Sequence, residues 1–165
     1  MSTILNTNGD HLEIPALNKK TNGNFYIVTA DWNSDITYSL RDGALQVLRE
    51  AGVAESKIKC ISVPGTVELV NACALVAHSG NAAAVIAIGC VIRGDTPHFD
   101  YVCDIAAQGI ANINATGKTP VIFGVLTVNN LSQAQERAGG LLGNKGAEAA
   151  SAAISMANLH VSFWL

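Results

Sequence analysis

AAVIAIGCVI, residues Ala83 to Ile92, is the stretch that decides the fold. It carries no charge and does not alternate apolar with polar, so neither of its faces is meant for water. A run of this length without alternation suits a strand covered on both sides, as in a parallel sheet flanked by helices. The neighbouring segments agree with that reading. Upstream, Val67–Ser79 has helical patterning and Lys59–Val63 is a short strand. Before these, Asp35–Ala51 places Ile36, Leu40, Ala44, Val47 and Leu48 on one helical face, with Gly52 just past its C-terminus. Phe25–Ala30 (FYIVTA) is rich in strand formers.

Downstream of the run, Thr96-Pro97 opens a helix that reaches about Thr116, with Thr96 as cap and Pro97 in the first turn. Pro120–Thr127 (PVIFGVLT) is a fourth strand. Asn130 suits the cap of a helix over Leu131–Ala138, and Asn144 that of a last helix from Lys145 to about Leu159. Strands alternating with helices predict an α/β domain on a parallel sheet. Right-handed crossovers put helices on both faces. The expected organisation is a polar, partly extended N-terminal tail over residues 1–24 and one domain over 25–165. Leu12–Leu17 in the tail suits an extended segment lying on a neighbour. Phe163 and Trp164 at the other end suit the cover of an apolar patch.

Composition excludes several classes. Net charge is −3 with no basic run, so the electrostatic footprint of a nucleic-acid binder is absent. No apolar stretch is long enough to span a membrane, and no charged-then-apolar N-terminus marks a signal peptide. A cytoplasmic protein is the expectation. Cys60, Cys73, Cys90 and Cys103 show no CxxC or Cys/His metal spacing and read as small buried hydrophobes in a reducing compartment. No GxGxxG follows the first strand, which disfavours a dinucleotide-binding domain.

Ligands of open α/β sheets bind beyond the carboxyl ends of the strands. The unusual residues of the chain collect there. Arg93-Gly94-Asp95-Thr96-Pro97-His98 joins the buried strand to a helix N-terminus, where free backbone N–H groups and the helix dipole favour an anion. His98 in the first turn is either a proton-transfer group or a helix-start residue without chemistry. Pro64-Gly65-Thr66-Val67-Glu68 is a second such turn, with a carboxylate for a polar ligand. Trp32 either stacks on a flat heterocycle or closes the rim. Arg137 and Lys145 either bind a phosphate or are solvated cations. His11, His78 and His160 read as surface residues.

Five blocks, in this order and spacing, resemble the lumazine synthase family: VPGTVEL (Val63–Leu69), IGCVIRGDTPHFDYV (Ile88–Val102), PVIFGVLT (Pro120–Thr127), QAQERAG (Gln133–Gly139) and GNKGAEAA (Gly143–Ala150). The resemblance covers roughly residues 25–160. It implies a flavodoxin-like three-layer sandwich around a four-stranded parallel sheet. It also implies a reaction in riboflavin biosynthesis. 5-Amino-6-(D-ribitylamino)uracil condenses with 3,4-dihydroxy-2-butanone 4-phosphate, phosphate and water leave, and no metal or organic cofactor takes part. By the same resemblance Trp32, Thr66, Val67, Glu68, Cys90, Val91, Ile92 and Phe123 hold the pyrimidine and its ribityl chain. Asp95, Thr96 and Arg137 hold the butanone phosphate, His98 transfers protons and Lys145 assists. Phe123 and Arg137 come from the adjacent subunit.

The resemblance therefore implies a homo-oligomer, a pentamer at least. The short Gly139–Asn144 connection leans toward a sixty-subunit shell, with riboflavin synthase as a candidate partner. Two positions depart from the family pattern: Val67 stands where an aromatic is usual, and Val70 where a proline is common. A non-catalytic riboflavin- or lumazine-binding or shell-forming relative is the alternative. The presence of both His98 and Arg137 argues against it.

Overall fold

The computed structural model describes residues 4–6 and 8–163, so Trp164 lies outside the described residues. Four strands form one parallel sheet: β1 (Asn24–Ala30), β2 (Ile58–Val63), β3 (Ala82–Ile92) and β4 (Val121–Val128), in the order β2-β1-β3-β4. Between and after them run α1 (Ser34–Glu50), α2 (Glu68–His78), α3 (His98–Ala115), α4 (Leu131–Arg137) and α5 (Lys145–Phe163). This is the three-layer α/β sandwich expected from the apolar run. β3 lies in the interior of the sheet, and Ala83 through Cys90 are buried without a break.

The two faces of the sheet hold separate cores, and the twofold alternation of β1 sorts residues between them. Phe25 and Ile27 join Leu40, Val47, Leu48, Ala150, Ala153 and Ile154 of α1 and α5. Val28 and Ala30 join Leu69, Cys73, Ile110 and Ile113 of α2 and α3. Burying a Leu or Ile side chain contributes about 1.5–3 kcal/mol, so these clusters dominate the stability of the domain. The alanines of α5 let it pack closely on α1. At Gly146 there is no room even for a methyl group, since a Cβ would collide with the backbone carbonyl of Leu40.

Several local signals act as their chemistry dictates. Gly52 adopts φ 88° after α1, and Val53 N donates back to Leu48 O at 3.0 Å, closing the helix. Asn130 Oδ1 accepts from Gln133 N and Asn144 Oδ1 from Ala147 N, both at 3.0 Å, so both predicted caps form. α3 differs. It begins at His98, with Pro97 rather than Thr96 in the cap position and no side-chain capping bond. Pro97 already has helical angles (φ −62°, ψ −6°), which moves the boundary one residue on. Residues 138–144 are more than a connection: β5 (Ala138–Gly140) and β6 (Gly143–Asn144) pair as a small antiparallel hairpin.

The tail packs on its own chain. Leu12, Ile14 and Leu17 lie against the α1/α5 core. Asn158 of α5 donates to Ala16 O at 2.9 Å and accepts from Asn18 N at 2.8 Å, and Ser151 donates to Glu13 O at 3.0 Å. Phe163 at the end of α5 is exposed rather than covering anything on this chain. Among the cysteines Cys73 and Cys90 are buried, Cys103 is half-buried and Cys60 is exposed; all four are free thiols. Cys60 departs from the buried expectation because it sits on β2, an edge strand whose side chains are only partly covered. No helix of the described residues is long and apolar enough to cross a membrane.

Candidate active site

The carboxyl ends of β1, β2 and β3 lie side by side, and their loops are joined to one another. Asp31 N donates to Val63 O at 2.8 Å and Trp32 N to Pro64 O at 3.0 Å, carrying the β1–β2 pairing past the strands. Trp32 is exposed, and its ring lies over Gly65. A Cβ on Gly65 would come within 2.6 Å of Trp32 Cε3 and 3.0 Å of Glu68 Oε2. Thr66 is buried against β3, where a Cβ on Gly89 would fall 2.8 Å from its Oγ1. Two glycines thus let the β2–α2 turn settle between the indole and β3. This turn brings the sequence-predicted Trp32, Thr66 and Glu68 together, while the Cys90 side chain points into the α1/α5 core and only its backbone faces this end. Val67 and Glu68 open α2 beside them.

Beyond Cys90 the chain runs through half-buried Val91 and Ile92 into the exposed loop Arg93–Pro97. Asp95, Thr96 and His98 lie in sequence along this loop and the first residue of α3. The helix start directs its unpaired N–H groups toward the same end of the sheet, which suits a phosphate.

Two residues here have no role of their own in the sequence reading. Asn33 has left-handed backbone angles (φ 59°, ψ 44°), and no other described non-glycine residue has a positive φ. Its Nδ2 donates to Cys90 O at 2.9 Å, tying the end of β1 to that of β3. An asparagine after an aromatic at a strand end was the available signal, since Asn tolerates this region best. Arg93 ties its loop to the start of α3 and to the residue after β4. Its Nη2 donates to Asp100 Oδ1 at 3.1 Å and its Nε to Asn129 Oδ1 at 3.3 Å, and its guanidinium stacks 4.1 Å from the Phe99 ring centre.

Phe123, Arg137 and Lys145 form a separate group. Together with Gln133 they line a groove of about 370 Å³ along β4, the edge strand opposite β2. None of Trp32, Thr66, Glu68, Asp95, Thr96 or His98 lines that groove. Arg137 Nη1 donates to Gln133 O at 3.0 Å, and Lys145 Nζ pairs with Glu148 Oε2 at 2.7 Å. Among the described residues no cluster of His, Cys, Asp or Glu could hold a metal ion.

The model of the 6,7-dimethyl-8-ribityllumazine synthase family matches residues 22–161, which takes in both groups and all five blocks of resemblance. The chain belongs to the lumazine synthase family. It is similar to proteins named 6,7-dimethyl-8-ribityllumazine synthase from Phocaeicola vulgatus (52% identical over 82% of this chain and 80% of the relative) and Porphyromonas gingivalis (54%, 81% and 83%). A third, from Bacteroides fragilis, is 50% identical over 80% of this chain and 92% of the relative. The lumazine synthase match begins at residue 22, so the tail before it stands outside the family region.

Proposed function

We propose that this chain is a 6,7-dimethyl-8-ribityllumazine synthase, a transferase of riboflavin biosynthesis. In this reading it condenses 5-amino-6-(D-ribitylamino)uracil with 3,4-dihydroxy-2-butanone 4-phosphate. The observation that supports the proposal is that two segments of different chemistry follow neighbouring parallel strands at one end of the sheet. One is a flat, aromatic-walled niche at Trp32, Gly65 and Thr66. The other is an anion-favouring helix start at Asp95, Thr96 and His98. A pyrimidine suits the first, and a phosphate ester suits the second.

The pyrimidine stacks on Trp32, with its polar edge on the backbone of Cys90, Val91 and Ile92. The ribityl chain lies along Thr66, Val67 and Glu68. Val67 here offers its backbone; the smaller side chain opens the wall where an aromatic is usual. The phosphate rests on the amides at Asp95 and Thr96. The substrate amine attacks the ketone and water leaves to give the imine. Loss of phosphate and ring closure with release of a second water follow. His98 stands next to the phosphate loop, where it moves protons to and from the reacting nitrogen and oxygen. Holding two substrates in register supplies much of the rate, since effective molarity lowers barriers by about 7–11 kcal/mol.

Phe123, Arg137 and Lys145 complete the site of a neighbouring copy in this reading. Their separation from Trp32 and His98 on one chain supports it, because one chain alone then carries two incomplete halves. The assembly is a homo-oligomer, a pentamer or a sixty-subunit shell of such pentamers, and riboflavin synthase is a candidate guest. Sedimentation velocity distinguishes the two assemblies, and a monomer at assay concentration contradicts the shared site.

The deciding assay mixes the purified chain with both substrates and follows lumazine fluorescence against the uncatalysed background. Lumazine well above background, reduced in an Arg137→Ala variant, is the expected result. Background rates with tight riboflavin binding would instead make the chain a flavin-binding relative.

A further inference from the structure

Arg137 sits at a mechanically weak place. It is the last residue of a seven-residue helix and is followed at once by the β5–β6 hairpin, in which Gly139 and Gly143 have φ of 107° and 71°. Leu141 at the hairpin tip is 84% exposed. Two short strands with three glycines have little rigidity of their own. Yet a phosphate-binding guanidinium must be held to within about 0.5 Å.

The restraint comes from α1. Ser39 Oγ donates to Ala138 O, the carbonyl directly after Arg137, at 2.5 Å. Asn144 pairs with Ala138 across the hairpin, and its Nδ2 donates back to Ser39 O at 3.1 Å. Ser39, Ala138 and Asn144 therefore close a ring of contacts at the base of Arg137. Gly43 makes room for it, because a Cβ there would lie 2.5 Å from Asn144 Cγ. Asn144 is buried and is followed directly by Lys145, so the same ring anchors both cations of the β4 groove.

We infer that Ser39 and Asn144 are positioning residues that set Arg137 for the butanone phosphate. The inference rests on the assignment of Arg137 to that phosphate. Neither residue is placed against substrate; Ser39 acts through the hairpin, and Asn144 through the hairpin and the start of α5 that it caps.

The experiment measures steady-state kinetics with each substrate varied in turn, on Ser39→Ala, Ser39→Thr, Asn144→Ala and Arg137→Ala. Ser39→Ala is the mild variant, since alanine favours α1 and only a hydroxyl is lost. The expected result is a KM for the butanone phosphate raised about tenfold in Ser39→Ala and Asn144→Ala, because a displacement near 1 Å can cost up to ~10²-fold. KM for the ribitylaminouracil stays within about twofold, and Ser39→Thr, which keeps the hydroxyl, restores the parent value. Folded Ser39→Ala with an unchanged butanone phosphate KM, while Arg137→Ala raises it, overturns the inference and leaves the assignment of Arg137 standing. A parallel rise in both KM values also overturns it, as that is the mark of general loosening. An unchanged KM in Arg137→Ala overturns the assignment and the inference together.

Discussion

The ring of Trp32 occupies the space that a side chain on Gly65 would need, with Cε3 only 2.6 Å from where that Cβ would lie. The turn after β2 thus sets the indole that follows β1. Gly65→Ala is expected to swing the exposed indole away at little cost in stability, because a side chain and not backbone must yield. KM for the ribitylaminouracil should rise by about fivefold, given the ~1 kcal/mol scale of a stacking contact. The tryptophan emission should shift while the unfolding midpoint stays within a few degrees. Unchanged kinetics with unchanged emission would sink the stacking role.

Asn33 offers a test in which backbone and side chain are separable. Asn33→Ala loses the bond to Cys90 O and leaves a Cβ-bearing residue without a local hydrogen bond in the left-handed region, at a cost of about 1–2 kcal/mol for the conformation alone. Asn33→Gly loses the same bond but relieves the backbone. The expected stability order is parent, then Asn33→Gly, then Asn33→Ala, read from urea midpoints. An alanine variant as stable as the glycine one contradicts the strain argument.

At Gly146 two effects of opposite sign compete. Helix propensity favours alanine by about 1 kcal/mol. Against this, a Cβ would sit 2.5 Å from the Leu40 carbonyl carbon, so α5 must shift off α1. Forced repacking of this kind costs about 3 kcal/mol at the upper end of its usual range, and it wins. Gly146→Ala should lose roughly 2 kcal/mol in denaturant titration. A stabilised variant would show that the two helices can separate freely.

Burial pushes the Cys73 thiol up from the ordinary 9.0 to about 12 and the Cys90 thiol to about 11. The folded chain therefore keeps both protons where the unfolded chain releases them. The stability they contribute is fully present below pH 9 and is lost as pH rises through 11 and 12. Urea midpoints should fall across that window, and the fall should be shallower in Cys73→Ala. A midpoint that rises with pH there would contradict the burial.

His98 is expected to be an accelerator rather than a requirement. Proton transfer by a positioned group contributes about 10²–10⁴-fold, while juxtaposition of the two substrates is retained. His98→Ala should lower kcat by about 10²-fold with both KM values little changed. Complete loss with intact ligand binding would mean that proton transfer is indispensable.

Much of this protein follows from sequence alone. The β3 run has nowhere to be soluble, so it demands covering layers and hence the sandwich. Asn130 and Asn144 cap because a short amide side chain before a helical run satisfies free N–H groups locally. The VPGTVEL and RGDTPH turns advertise themselves because glycine and proline interrupt the apolar pattern where a strand gives way to a helix. Such signals act over a few residues, and residue order is enough to carry them.

Tertiary structure decided what depends on distance through space. Asn33 and Cys90 are 57 residues apart, and their bond exists only because β1 and β3 are neighbours. Ser39 reaches Ala138 across 99 residues because Gly146 lets α5 dock against α1. The β5–β6 hairpin was invisible because its three glycines carry no strand preference, and pairing alone defines it. The edge position of β2 exposed Cys60, which composition had placed inside. Local chemistry specifies elements and ends, while the meeting of distant side chains is set by packing, which no single segment contains.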